Sequence, residues 1–121
     1  MKYLCLCYYD TEKFAVLTND EKAAVGAACH PYDLTLRATG KVLFVGSLAE
    51  PEAWRAIVPS GGKPVVSVGP ISSAPSQAGA FIILEADSIE EATAVASMHP
   101  AANYGEHLGF AVDVRPCESF D

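Results

Sequence analysis

The sequence predicts an α+β domain, two helices laid against a mostly antiparallel sheet in the order β-α-β-β-β-β-α-β. Three observations carry that prediction. Short apolar stretches of strand character recur at residues 2–9, 41–48, 53–58, 63–68, 80–86 and 110–115. Thr18-Asn-Asp-Glu21 and Ser88-Ile-Glu-Glu91 are capping-box patterns, each opening a segment of helical spacing. One such helix follows the first strand and the other precedes the last, which is a ferredoxin-like layout. A chain of 121 residues is one domain, 1–121, at roughly 100–200 residues per domain.

In the first strand Leu4, Leu6 and Tyr8 point one way and Tyr3, Cys5, Cys7 and Tyr9 the other. In the first helix Val25, Ala28, Cys29, Tyr32 and Leu36 form an apolar stripe, and Gly40 suits the position just past the end. Pro31 lies within that helix. It lacks an N–H and clashes with the carbonyl of Ala27, at ~3 kcal/mol in a regular helix. A kink is expected, or two helices with Pro31 opening the second and His30 at the break. Ser60-Gly61-Gly62-Lys63 is a turn signal, so 53–68 reads as a hairpin. Residues 69–79, with Pro70, Pro75 and several serines, read as a mobile loop. The second helix ends before Pro100, residues 101–109 read as a loop, and 117–121 form a tail.

Composition narrows the function classes. Hydrophobic residues make up 50% of the chain and charged ones 19%, which excludes disorder. The net charge of −7 repels phosphate backbones, so neither nucleic acid nor a membrane surface is an expected partner. The longest apolar runs fall far short of the ~20 residues that span a bilayer, and the start MKYLCLCYYD lacks the features of a signal peptide. A cytoplasmic location is expected, with Cys5, Cys7, Cys29 and Cys117 as free thiols. GxSxG, HExxH, CxxC and a dinucleotide fingerprint are absent, and Ser60-Gly61-Gly62-Lys63 lacks phosphate-loop spacing. No metal or organic cofactor is implied.

The strands at 2–9, 42–48 and 80–86 are apolar on both faces. Two helices cover only one. Each large side chain left in water forgoes ~1.5–3 kcal/mol of burial. A homodimer, packed sheet against sheet around a barrel-like interior, would cover the second face. The alternative is that residues 69–79 and 101–109 fold over it.

His30 is the first candidate for chemistry, because an imidazole titrates near neutrality and serves as acid or base. Asp33, three residues on, would share its helix face and orient it. Tyr8 could present a phenol from the neighbouring strand. Arg115, whose guanidinium fork matches a carboxylate, could bind an acidic ligand, although Asp113 and Arg115 share a strand face and could equally form an ion pair. His99 reads as a cation at a helix C-terminus and His107 as a solvated loop residue. Trp54 could line a pocket or an interface.

Several blocks in order, MKYLCLCYYD, Val68-Gly69-Pro70-Ile71, Gln77-Ala78-Gly79-Ala80-Phe81, His99-Pro100 and Val112-Asp113-Val114-Arg115-Pro116, resemble the YCII-related proteins. More narrowly they resemble the branch named after an Asp-Gly-Pro-Phe motif. The resemblance implies a dimeric α+β barrel fold. It implies a small organic ligand, aromatic or carboxylate, and lyase-, isomerase- or dehydrochlorinase-like chemistry with a His–Asp acid/base pair. For some members it implies an association with sigma factors. The chain departs from the motif: Val68 stands where the Asp would be and Ile71 where the Phe would be. A valine cannot move protons, so a non-catalytic sensing or regulatory dimer is the alternative expectation.

Overall fold

The computed structural model describes residues 1–120; Asp121, the end of the expected tail, lies outside the described residues. Strand β1 (Lys2–Asp10) runs into a short helix α1 (Thr11–Ala15) and then the long helix α2 (Asn19–Arg37). Strand β2 (Val42–Ser47) and a 3-10 turn at Pro51–Ala53 lead to the hairpin β3 (Arg55–Ser60) and β4 (Lys63–Val68). Then come β5 (Ser76–Glu85), α3 (Ile89–Ala96), α4 (Pro100–Asn103), a 3-10 turn at Glu106–Leu108, and β6 (Ala111–Pro116).

The main sheet has four strands in the order β2-β5-β1-β6, each pair antiparallel. With the hairpin set aside, this is a split β-α-β pair, as the pattern of elements predicts. The hairpin itself corrects the expectation of one continuous sheet. β3 and β4 pair only with each other, as a separate two-stranded unit.

Alternation along β1 sorts the two faces. Tyr3 and Cys5 are buried, and their cross-strand partners are Leu84 and Ile82 on β5 and, for Cys5, Val114 on β6. On this face Leu36 of α2 and Ala92, Val95 and Ala96 of α3 complete the core. Burying each large apolar side chain contributes ~1.5–3 kcal/mol. The other face carries Leu4, Leu6, Phe81 and Ile83, half-buried, and Phe44, which is 59% exposed. No helix covers it. The stretch 100–110 does not cover it either, because α4 packs on α2, on the helix side.

Three local expectations change. Helix α2 runs through Pro31 as one element, so the division into two helices does not occur. Its start is secured by a reciprocal capping box, in which the Glu21 N–H donates to Thr18 Oγ1 at 3.1 Å and the Thr18 N–H to Glu21 Oε1 at 2.9 Å. Pro31 and Ala27 are exposed, so water can reach the carbonyl that proline leaves without a donor. The expected mobile loop is shorter and tied down. β5 begins at Ser76, the Gln77 amide donates to the Ser72 and Ala74 carbonyls, and the Thr11 N–H donates to the Pro75 carbonyl at 2.9 Å. The expected loop at 101–109 contains part of α4 and a 3-10 turn.

Candidate active site

Between α2 and the sheet lies a cavity of about 430 Å³, within the range usual for small-molecule sites. Its α2 wall is one helix face, Lys22, Val25, Gly26, Cys29, Asp33 and Arg37, at three- and four-residue spacing. The sheet contributes Cys7, Tyr9, Val45, Ser47 and Ala80, and the far end is closed by His99, Pro100, Ala101 and Phe110. Gly79 makes room for the Tyr9 ring, since a Cβ there would stand 2.7 Å from it.

His99 is the buried polar side chain of this site, 9% exposed. It is the N-cap of α4, not a helix C-terminal cation as its sequence context suggested. The Ala101 N–H donates to Nδ1 at 3.0 Å, and the Asn103 amide holds the His99 carbonyl at 3.0 Å. With Nδ1 accepting, the neutral ring carries its proton on Nε2. Cys7 Sγ lies 3.5 Å from Nε2 and 3.7 Å from Nδ1, against the ring rather than on one directed bond. Burial lowers the imidazole pKa, and the charge of Asp33 partly opposes this. The Cys7 thiol is pushed up to about 12, by burial first, then by Cys5, Asp113 and Asp33. It is a protonated wall of the cavity, not a thiolate nucleophile.

The residues singled out by sequence are not brought together. Asp33 lines the cavity. His30 does not; it is exposed, on a part of α2 that does not line the cavity. Tyr8 contributes to the cavity wall, but its hydroxyl donates to Asp113 Oδ2 at 2.9 Å. Arg115 meets the same carboxylate at 3.0 Å and the Tyr8 oxygen at 3.0 Å, outside the cavity. Burial alone would raise the Asp113 pKa, but hydrogen bonds from Arg115 and Tyr8 hold it below the usual carboxylate value. Trp54 is half-buried with its Nε1 donating to the Ala49 carbonyl, and His107 stands edge-on to the Tyr104 ring. Sequence reasoning missed His99, although His-Pro was a legible signal: proline favours the first position of a helix, and the residue before it then stands as cap.

Cys5, Cys7, Cys29 and Cys117 are free. Among the described residues no group of three or more His, Cys, Asp or Glu side chains is placed to hold a metal ion, and no helix is long and apolar enough to cross a membrane.

The YCII-related domain matches residues 1–117. The chain belongs to the YCII-related domain family. No curated protein matches it closely enough to count as a relative. Among solved structures it is similar to 5-chloro-2-hydroxyhydroquinone dehydrochlorinase (TftG) from Burkholderia phenoliruptrix AC1100, in complex with 2,5-dihydroxybenzoquinone. The two share 19% identity and a TM-score of 0.50, over 98% of this chain and 94% of that one. At that identity the likeness is one of fold. This YCII-related chain thus has an antiparallel α+β layer with a partly open cavity on its helix side.

Proposed function

We propose that the chain binds a small organic molecule, aromatic or carboxylate-bearing, between α2 and the sheet and carries out acid–base chemistry on it of the lyase, isomerase or dehydrochlorinase kind. The observation that carries this reading is one cavity lined by a buried His99, the carboxylate of Asp33 and apolar walls. The acid/base role expected of His30 passes to His99. Its Nε2–H serves as donor to a leaving group or developing oxyanion, while Asp33 accepts a proton from carbon. In an elimination Asp33 takes the proton, the C–H electrons become the new double bond, and the leaving group departs with its bonding pair as an anion that accepts a hydrogen bond from Nε2–H, which keeps its proton. The likeness to a dehydrochlorinase fold makes chlorinated hydroxyhydroquinones, with small lactones, the first substrates to try.

The branch with the Asp-Gly-Pro-Phe motif remains the narrower assignment we propose, with Val68-Gly69-Pro70-Ile71 in the motif's place. Val68 and Ile71 are 71% and 79% exposed and line no part of the cavity, so their change removes no group from it. A cytoplasmic setting suits the free thiols. We also propose pairing of two chains through the uncovered sheet face.

Turnover is measured for the wild type, His99→Asn, Asp33→Asn and His30→Gln. Loss of roughly 10²–10⁴-fold in the first two, with His30→Gln close to wild type, is expected. Ligand binding that survives in all four proteins with no turnover in any would leave the sensing reading in place and end the catalytic one.

A further inference from the structure

The cavity holds two cations, and only one is engaged. Lys22 Nζ pairs with Glu50 Oε1 at 3.3 Å and lies 5.1 Å from the centre of the Phe14 ring. Arg37 lines the same cavity one turn beyond Asp33 on α2, and its guanidinium makes no ion pair or side-chain hydrogen bond among the described residues. The fork that the sequence offered for a carboxylate, Arg115, is occupied by Asp113 and Tyr8. Arg55 is turned to the carbonyls of Ala53 and Trp54. Of the eight Lys and Arg side chains, Lys13, Arg37, Arg55 and Lys63 make no ion pair among the described residues, and Arg37, itself exposed, is the one of these four that lines the cavity.

We propose that Arg37 is the anchor for a carboxylate on the ligand, so that the natural substrate class is a small ring carboxylate. This rests on the cavity reading above and deepens it. The guanidinium takes both carboxylate oxygens. The Asp33 anion repels the same group, so the acid end turns to Arg37 and the ring lies toward Asp33 and His99. Four residues of helix separate Arg37 from Asp33, about 6 Å along the axis, a span that one six-membered ring with its carboxylate fills. Arg37 also stands in the last turn of α2, where the helix dipole favours any cation. The dipole is served equally by lysine; a two-toothed grip is not.

The test is calorimetric titration of the intact protein with 2,5-dihydroxybenzoate and with its methyl ester, for the wild type, Arg37→Gln and Arg37→Lys. The wild type should bind the acid roughly 10-fold or more tightly than the ester. That preference should vanish in Arg37→Gln and shrink in Arg37→Lys, with affinity for the ester the same in all three. Equal binding of acid and ester by the wild type overturns the anchor while leaving the cavity reading intact, and so does a full acid preference in Arg37→Gln. If neither compound binds the wild type, the cavity reading falls with the anchor. Thermal melts show whether each variant is folded, and the wild-type acid-to-ester ratio decides even where a variant is not.

Discussion

His99 and His30 differ in what surrounds them, and spacing along a chain does not report surroundings. His30 has Asp33 three positions on, a pairing that sequence displays, yet its side of α2 faces water. His99 gathers Asp33 from α2, Cys7 from β1 and the Ala101 N–H from its own helix start, and only folding brings those together. The same geometry makes a titration prediction. Burial lowers the His99 pKa, so the unfolded chain binds more protons than the folded one as the solution is acidified. The associated stability is fully present above the ordinary value of about 6.5 and is lost as pH falls through the lowered folded value. In NMR titration the His99 ring should therefore protonate below pH ~6.5. In His99→Asn, which keeps an N-cap but cannot titrate, the fall in melting temperature across that window should be smaller than in the wild type. A wild-type ring that titrates at or above the ordinary value contradicts the buried, Nδ1-accepting state.

Helices and strands were legible where local patterns decide them and illegible where tertiary context does. Both capping-box patterns mark real helix starts, reciprocal at Thr18 and through the Ser88 hydroxyl alone at α3, and the Gly61-Gly62 turn marks a real hairpin. The break at Pro31 did not follow, because an exposed carbonyl turns to water and the capped helix carries on through it. The segment after His99 was read as loop because its helices are single turns, too short for periodicity to show. Here Gly105 is the residue that the chain path requires. Its φ is +82°, and a Cβ built on it would run into the Phe110 ring at the end of the cavity. Gly105→Ala combines a left-handed backbone with an overpacked contact, and should cost about 2–4 kcal/mol. Urea unfolding measures that loss. A midpoint unchanged from wild type would show that Phe110 moves aside freely and does not shape the site.

At the scale of the whole molecule, the two-faced apolar strands remain the fact to be satisfied. One face is covered by α2 and α3, with its buried cluster at Leu36, Ala92, Val95 and Ala96, as the sequence pattern required. The other presents Phe44 at 59% exposure beside half-buried Leu4, Leu6, Phe81 and Ile83. Contiguous apolar surface of this kind drives association, and a stable pair needs on the order of 800 Å² buried on each partner. A pair formed through this face leaves the cavity on the helix side open to ligand, so association and binding are separable. The protein should therefore sediment as a dimer at micromolar concentration, with a melting temperature that rises with protein concentration. Phe44→Glu places a charge on the uncovered face, on the edge strand β2, without touching the single-chain core, and should shift the mass toward one chain while the acid-binding cavity keeps its affinity. A wild-type mass of one chain, independent of concentration, would mean that this face is stable in water, and the pairing would have to be given up.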